Sequence, residues 1–281
     1  MNQLLNSILE EYSAVEVLQI CKVINKNYNI YDPEDVRWAK LEYALNRTSH
    51  SDIELLRKNY LSNKIVNDLI FNFYYCERVI KYYFIKHLKE MNNIVAFEMS
   101  IGDSRVDICR INGSLYAYEI KTEYDTFDRL ETQMQDYLRT FQKVYIILPH
   151  TRVESVRPIL PDSCGIISYR INKSRDVVFS YAQRAQKNHC DIASCINSLS
   201  SSDMSYLLKS LKGNDCRTRN EKREHLLQIA DTKPIWKQYR QLLRHKYENQ
   251  WGFITEHFDR ILPIDIQSFF SSNMDPGLLY T

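Results

Sequence analysis

The segment from residue 102 to 121, GDSRVDICRINGSLYAYEIK, constrains the fold of this 281-residue chain more than any other stretch. Two runs of strand-forming residues flank an Asn-Gly step, which is one of the strongest short-range signals for a β-hairpin because both residues tolerate positive φ. The first run contains one acid, Asp107, and the second contains Glu119 and Lys121. Side chains two residues apart in a strand project from one face, so Glu119 and Lys121 share a face.

The length of the hairpin loop decides whether the two acids meet. A two-residue loop places Asp107 across from Tyr118, so that Glu119 points away from it. A three-residue loop, residues 112–114, places Asp107 opposite Glu119. We expect the three-residue loop, which brings both acids to one end of a sheet whose faces are otherwise largely apolar. Ionised groups in such a position are costly to bury and therefore indicate a site.

Asp107, Glu119 and Lys121 have the chemistry of metal-dependent phosphodiester hydrolysis. Mg²⁺ (or Mn²⁺) binds carboxylate oxygens and keeps several waters, one of which can act as the nucleophile. The backbone carbonyl of Ile120, between the two functional side chains of its strand, is a further candidate ligand. We expect Lys121 to orient or deprotonate the attacking water, or to offset charge on the phosphate. The alternative is a surface salt bridge between Glu119 and Lys121.

Two more acids precede the hairpin. Residues 66–91 predict one long, aromatic and substantially buried helix, in which Glu77 is a carboxylate among apolar residues. It is either a surface partner of Arg78 or Lys81, or a carboxylate directed at the acidic end of the hairpin, and we include it as a candidate metal ligand. Glu98, on a predicted strand NIVAFEMS, is either a charge at the strand edge or an extra acid near the metal.

Downstream of the hairpin, the sequence predicts a crossover helix and further strands. Asp125 or Thr126 is expected to cap a helix from about residue 127 to 141. On that helix Arg129, Gln133 and Tyr137 lie four residues apart and form a stripe beside its apolar stripe. The apolar run KVYIILPH predicts a buried strand placed parallel in the same sheet, and GIISYRI predicts another strand. Beyond residue 176, beginning with VFSYAQRAQ, the pattern indicates helices.

These elements predict an α/β fold, with a mixed β-sheet core flanked by helices and with helical N- and C-terminal regions. We expect three parts: a helical region over residues 1–65, the core over residues 66–180, and a helical region with a basic stretch and a tail over residues 181–281. The first region is either a helical cap or adaptor, or a helix-turn-helix reader of nucleic acid.

The amino-acid composition limits the classes of protein to which the chain can belong. The net charge of +2 is too small to indicate nucleic acid by itself, so only the distribution of charge can do so. Eleven bases between Lys209 and Lys246 form the clearest basic concentration, either a phosphate-binding surface or a solvated face. Seven scattered cysteines suit reduced thiols, and no apolar run has the length of a membrane span. The N-terminus lacks the pattern of a signal peptide, so we expect a cytoplasmic protein without a membrane partner.

The pattern GDSRVD, ending at Asp107, followed by EIK at residues 119–121, resembles the PD-(D/E)XK nuclease superfamily, which has a restriction-endonuclease-like core of four strands flanked by helices. Val106 stands where that family has Pro. Members similar to archaeal Holliday-junction resolvases have a Glu on the helix before the sheet, and Glu77 is at the matching position. Members similar to exonucleases have Gln-x-x-x-Tyr after the lysine, which fits the QMQDY of residues 133–137.

More narrowly, the segment EIKTEYDTFDRLETQMQDY resembles an uncharacterised bacterial family of predicted nucleases. The resemblance implies Mg²⁺-dependent cleavage of DNA, with Asp107 and Glu119 as metal ligands and Lys121 at the water. It further implies that Gln133 and Tyr137 contact substrate phosphate or order the site. The alternative for these two is a structural role as polar residues at the shoulder of the helix. Arg129, on the same stripe, is our third candidate for substrate binding. RNA as the substrate is not excluded.

Two functions from different classes follow from the sequence. The first is a divalent-metal-dependent nuclease, for which an effector in phage defence or in a mobile element is the setting that the resemblance suggests. The second is a catalytically silent subunit that has a nuclease fold and binds nucleic acid or forms a complex. In either case a protein partner or a second copy of the chain is expected to contact the helical regions.

Overall fold

The computed structural model describes residues 3–91, 93–214, 216–230 and 234–271. The chain divides into two compact units: the first runs to Tyr83 and takes up the chain again from His257, and the second runs from Phe84 to Glu256. This division differs from the three ranges expected from the sequence. The first boundary lies near residue 83 instead of residue 65, and the described residues after 256 group with the N-terminal helices.

The first unit is helical, as the sequence predicts for the N-terminal region. Its helices, with the last residues of α6 belonging to the second unit, are α1 (Gln3–Leu9), α2 (Ala14–Asn27), α3 (Glu34–Ala44), α4 (His50–Asn59), α5 (Ser62–Phe73), α6 (Glu77–Leu88) and α13 (Ser268–Ser271).

Local sequence signals explain how α2 begins and what holds it. Ser13 and Glu16 form a reciprocal capping box, in which the backbone N–H of Ser13 donates to Glu16 Oε2 at 2.8 Å. Ile20 and Ile24 of this helix are buried in the apolar core of the unit. Tyr28, just after the helix, donates its hydroxyl to Asp265 Oδ1 at 2.7 Å, which ties the C-terminal segment to the N-terminal helices.

The prediction of one long helix over residues 66–91 is wrong. α5 ends at Phe73, Tyr74 takes an extended conformation, and α6 begins at Glu77. The sequence has neither glycine nor proline at this break. Three aromatic residues in a row have only moderate helix propensity, and all three pack against the apolar core. Tertiary packing therefore outweighs the helical periodicity here.

The second unit is built on a six-stranded sheet. Its elements are β1 (Ile94–Ile101), β2 (Ser104–Asn112), β3 (Ser114–Ile120), α7 (Leu130–Thr140), β4 (Lys143–Pro149), α8 (Val153–Val156), β5 (Gly165–Ile171), β6 (Val177–Gln183), α9 (Ile192–Asn197), α10 (Ser201–Ser210), α11 (Arg219–Ala230) and α12 (Ile235–Glu256). In the described part of the chain, no helix combines the length and apolar character needed to cross a membrane.

The sheet is mixed and its strand order follows the chain, β1 to β6. β3, β4 and β5 are parallel, and the other neighbours are antiparallel. The predicted α/β class, and the parallel placement of the KVYIILPH strand after a crossover helix, are confirmed. Alternation along the strands defines two faces: the carboxylate face carries Asp107 and Glu119 and packs against α7, and the tyrosine face carries Tyr116, Tyr118 and Tyr145.

The prediction of a helix beginning with VFSYAQRAQ is wrong, because residues 177–183 form β6, antiparallel to β5. The connection is a turn in which the side chain of Asn172 accepts from the backbone N–H of Asp176 at 2.9 Å, and Arg175 has a φ of 65°. This turn has no glycine, so the sequence has no strong hairpin signal. The β-branched and aromatic residues of the VVFSY run fit a strand better than a helix.

The predicted N-cap of the crossover helix is also wrong. α7 begins at Leu130, and neither Asp125 nor Thr126 caps it. Asp125 instead accepts from both the backbone N–H and the hydroxyl of Thr122 at 2.7 Å. The side chain therefore stabilises the loop that follows β3, not the start of the helix.

Candidate active site

The β2–β3 hairpin has the register that the three-residue loop requires. Ile111 pairs with Leu115 and Ile108 pairs with Tyr118, so the next position of the same register has Asp107 opposite Glu119. Gly113, at the tip of the turn, has a φ of 63°, a conformation that glycine adopts without steric cost. The structure thus brings both acids of the hairpin to one face of the sheet.

A third acid extends this row onto β1. Phe97 pairs with Ile108 and Met99 pairs with Val106, so Glu98 lies between them, opposite Asp107. Carboxylate oxygens of Glu98 and Asp107 lie within 4.8 Å of each other. Glu98 has a φ of 54°, which is unusual for a non-glycine residue in a strand and marks local backbone strain. Glu98 thus lies on the edge strand of the sheet and also beside Asp107, and its role as an extra acid near a metal remains a prediction.

Glu119 is 3% exposed, and its carboxylate is fully embedded in hydrogen bonds. Oε1 accepts from Lys121 Nζ and from Gln133 Nε2, both at 2.8 Å. Oε2 lies 2.8 Å from the hydroxyl of Tyr137. That hydroxyl also lies 2.7 Å from the carbonyl oxygen of Arg105, and because a phenol has one proton it donates to one of the two at a time. These hydrogen bonds compensate the cost of removing the carboxylate from water.

Asp107 is held by the backbone of the neighbouring strand. Its Oδ2 accepts from the backbone N–H of Ile120 at 2.6 Å, and the residue is 8% exposed. The structure therefore brings the amide of Ile120 to the site by a defined contact. The carbonyl of Ile120, predicted as a metal ligand, remains a prediction.

Lys121 lies between acids. Its ammonium donates to Glu119 at 2.8 Å and to Gln133 Oε1 at 3.1 Å. Burial lowers the pKa of Lys121, but the charge and hydrogen bond of Glu119, followed by the charges of Asp107 and Asp125, raise it more, so its pKa is raised overall. The surface salt bridge considered from the sequence is present as an ion pair, but both side chains are largely shielded from water.

Tyr137 behaves as a neutral donor. Burial, and then the charge of Glu119, raise the pKa of its phenol far above the ordinary value. Together with Gln133, one helical turn earlier, it fixes the Glu119 carboxylate from α7. The spacing of four residues predicted that both lie on one side of the helix, and the resemblance to exonuclease-like members is what indicated a role for them at the site.

Arg129 is placed differently from Gln133 and Tyr137. It precedes the first turn of α7 and is exposed, and in the described residues its guanidinium makes no contact with Asp107, Glu119 or Lys121. Its predicted substrate contact remains a prediction. The helix starts three residues later than the sequence indicates, so the predicted stripe does not extend to this position.

Glu77 lies in the first turn of α6, in the first unit. It forms an ion pair with Lys81, whose side chain is almost completely buried. The pairing considered from the sequence is therefore present, although its ammonium is not at the surface. Its assignment as a metal ligand remains a prediction.

Two polar contacts at the site had no signal in the sequence. Arg105 donates from Nε to Glu98 Oε2 at 2.6 Å, and Ser104 donates to Asp136 Oδ2 at 2.5 Å. Both link β2 to a neighbouring element across 7 and 32 residues of sequence. Such pairs depend on strand register and helix placement, which the spacing of polar residues does not reveal.

The loop after Lys121 is clamped by one arginine. Arg152 donates from Nη1 to the carbonyl oxygens of Thr122 at 2.5 Å and of Asp125 at 2.8 Å. Its guanidinium also lies 4.1 Å from the ring centroid of Phe127. This clamp fixes the strand end from which Lys121 extends.

Four members of the C-terminal basic stretch have structural contacts. Arg219 donates to the carbonyl of Asn197 at 2.8 Å, and Arg223 donates to its side-chain oxygen at 2.6 Å. Lys222 contacts Ser201, and Lys246 pairs with Asp203 at 2.8 Å. These contacts join α9, α10, α11 and α12. Lys233, also in the predicted basic set, lies outside the described residues.

Comparison with known proteins places the chain in a phage family. A family model described as Bacteriophage P4 protein cII matches residues 72–269, more than half of the chain, and the chain belongs to that family. The matched range contains every residue of the candidate site.

Two individual proteins are similar to parts of this chain. Protein cII of Enterobacteria phage P4 is 30% identical over 82 residues, which are 29% of this chain and 31% of that protein. The match thus spans less than a third of the relative. A protein of unknown function from Silicibacter pomeroyi, SPO1766, aligns with 56% of this chain and 94% of its own at 16% identity, with a TM-score of 0.33. Similarity at that level supports no conclusion about function.

Proposed function

We propose that this protein is a divalent-metal-dependent nuclease that hydrolyses DNA phosphodiester bonds. The observation that carries the proposal is the row of Glu98, Asp107 and Glu119 across three adjacent strands, with Lys121 beside it. Buried acids in a row are unfavourable unless cations compensate them. The family name states no activity, so the proposal rests on this geometry and on the resemblance of the surrounding motifs to PD-(D/E)XK nucleases.

The donor set fits a hard divalent cation. Carboxylate oxygens are the ligands that Mg²⁺ and Mn²⁺ prefer, and Asp107, Glu119 and Glu98 would hold the ion. When bound, such an ion polarises the phosphate and lowers the pKa of a bound water. Glu98 and Asp107 belong to a group of acids that contains neither Cys nor His, which is consistent with an oxygen-ligand metal and not with structural zinc.

The protein's own groups have separable roles. Gln133 and Tyr137 hold both oxygens of Glu119, which fixes the direction in which its remaining lone pairs point. Lys121 supplies a positive charge next to the carboxylates, where it can stabilise negative charge that develops on a phosphate. The Arg152 clamp keeps the strand end rigid, so that the lysine is held in place before substrate binds.

The direct test is a cleavage panel with labelled duplex, branched and single-stranded DNA and a single-stranded RNA. We expect cleavage of at least one DNA substrate in Mg²⁺ or Mn²⁺, and none in EDTA. Lys121→Met, which keeps the apolar stem, should lower the rate roughly a hundredfold or more, because it removes one preorganised charge. Cleavage that persists in EDTA would contradict the proposed mechanism.

A second candidate function has one observation in its favour. The Glu119 carboxylate accepts three side-chain hydrogen bonds, one of them from Lys121. A network so complete without an added cation suits a catalytically silent subunit that binds nucleic acid. Binding of DNA without cleavage in every arm of the panel would favour that alternative.

A further inference from the structure

The tyrosine face carries a continuous row of aromatic rings that the proposed hydrolysis does not use. The tyrosine row consists of Tyr116 and Tyr118 on β3, Tyr145 on β4 and Tyr181 on β6. The first pair of ring centroids is 6.3 Å apart with planes at 8°, and Tyr118 and Tyr145 are 5.6 Å apart at 15°. Tyr181 meets Tyr145 edge-on at 5.8 Å and 69°.

A missing side chain makes room for this row. Gly165, on β5, lies beside Tyr145, and a Cβ at this position would be 2.3 Å from the ring. Any larger residue must therefore displace the ring. The position of the Tyr145 ring in the row thus depends on one glycine.

An arginine stacks on each end of the row. The guanidinium carbon of Arg110 lies 3.7 Å from the centroid of Tyr116, and that of Arg184 lies 4.6 Å from the centroid of Tyr181. Lys143 places its ammonium 5.9 Å from the Tyr116 centroid. Cation–π contacts at these distances are favourable but modest.

The three cations have no carboxylate partners among the described residues. In the part of the chain that the structure describes, none of Arg110, Lys143 and Arg184 forms an ion pair, and Arg110 Nε is buried without a hydrogen-bond partner. Lys121, on the other face, is by contrast neutralised by an adjacent acid. The tyrosine face therefore carries three cations that can pair with anions.

The ends of the row are accessible. Tyr181 is 53% exposed and Arg184 is exposed, while Tyr116 and Arg110 are half-buried. Tyr118 and Tyr145, in the middle, are buried and form the support. The ring of Phe84 packs on Tyr118 with 4.8 Å between centroids, so the two ends of the row, and not its middle, present aromatic and guanidinium groups to a ligand.

We propose that this face binds a single-stranded polynucleotide. Bases would stack on Tyr181 and on the Arg110–Tyr116 pair, and phosphates would pair with Arg110, Lys143 and Arg184. Aromatic rings interleaved with unpaired cations are the combination that single strands require, because their bases are free to stack whereas those of a duplex are not. Binding at this face does not depend on cleavage at the carboxylate face, so each proposal can fail alone.

The test is fluorescence anisotropy with a fluorescein-labelled 20-mer of thymidylate in EDTA, so that cleavage plays no part. The variant Arg110→Gln/Arg184→Gln should lose roughly tenfold in affinity at 0.1 M salt, and the salt dependence should flatten by about 1.4, or 0.7 per phosphate contact. The control Arg170→Gln/Lys173→Gln removes two exposed charges from the β5–β6 hairpin and should change affinity less than about twofold.

Aromatic contacts need their own variant. Tyr181→Leu should lower affinity roughly tenfold, because one stacking partner is lost, while Tyr206→Leu, another exposed tyrosine of the same unit, should leave it unchanged. A 5-iodouracil-substituted strand should crosslink to the peptide containing Tyr181 or Tyr116.

Four results would overturn the proposal. These are equal affinities of the arginine variant and its control, equal binding of a 20-base-pair duplex, equal competition by polyglutamate, and crosslinks confined to α11 and α12. The duplex and polyglutamate results would assign the face to a duplex or an acidic protein instead.

Discussion

The principal charged groups on the two faces of the sheet have opposite signs and different partners. On the carboxylate face, Glu119 is buried and each of its oxygens has a donor within 2.8 Å. On the tyrosine face, Arg110 is stacked at 3.7 Å on a ring and has no carboxylate partner among the residues that the structure describes. The first arrangement fixes acids in place for a cation, and the second leaves cations available for an anion. A sheet can thus separate metal-binding and phosphate-binding chemistry by the alternation of side chains along its strands.

The largest expected effect is loss of cleavage on the carboxylate face. Asp107→Asn keeps an acceptor for the backbone N–H of Ile120 but removes the charge that a metal needs, so we expect a fall in rate of at least roughly a thousandfold. Asp103→Asn, at an exposed acid in the adjacent turn, is the matched control and should retain its rate. Full activity of Asp107→Asn in a single-turnover assay would contradict a catalytic metal site at Asp107.

The two faces should also respond differently to loss of a phenol oxygen. Tyr137→Phe deletes a buried donor to Glu119, and the free energy of unfolding should fall by about 2 kcal/mol, because hydrogen bonds to charged groups are among the stronger ones. Tyr181→Phe removes an exposed hydroxyl and should change the free energy of unfolding by less than about 0.5 kcal/mol. Urea denaturation measures both, and equal values would mean that the carboxylate network contributes no stability.

An effect of similar size is expected from the glycine beneath the tyrosine row. Gly165→Ala places a methyl group against the Tyr145 ring and 2.6 Å from the backbone nitrogen of Ala185, so overpacking should cost about 1–3 kcal/mol. Gly252→Ala, in the helix α12 and with no atom within 4 Å of the new Cβ, should instead stabilise the protein by up to about 1 kcal/mol. Opposite signs in thermal unfolding are the expected result, and two stabilised variants would show that the row is not tightly seated.

The smallest effect concerns the exposed edge of the acid row. Arg105 pairs with Glu98, but its side chain is 67% exposed, so Arg105→Ala should change the free energy of unfolding by no more than about 1 kcal/mol. Urea denaturation at low salt and at 0.5 M salt measures this change in the free energy of unfolding. A much larger loss would mean that the strained backbone of Glu98 depends on this ion pair.

Sequence patterns were sufficient where the signal was local. The Asn-Gly step predicted the β2–β3 hairpin, and its register followed from the need to bring Asp107 and Glu119 together. The spacing of four residues placed Gln133 and Tyr137 on one side of the crossover helix, and the resemblance indicated that they order the site; their contacts with Glu119 came from the structure. These predictions depend on a few neighbouring residues, and the structure adds little to them beyond distances.

Sequence patterns were insufficient where tertiary packing or unusual backbone geometry determines the structure. The β5–β6 hairpin turns through Arg175 at positive φ, a conformation for which the sequence has no glycine to signal it. Glu98 joins the acid row through the pairing of β1 with β2, which no local pattern specifies. The tyrosine row is assembled from three separate strands, so its members are 65 residues apart at the extremes, from Tyr116 to Tyr181.

The central claim is that the carboxylate face binds a divalent cation, and Mn²⁺ binding measured by isothermal titration calorimetry tests it most directly. The account predicts that the wild-type protein and Asp103→Asn bind Mn²⁺ with the same affinity, and that Asp107→Asn loses at least about tenfold in affinity. The same Mn²⁺ affinity in Asp107→Asn as in the wild type would contradict it.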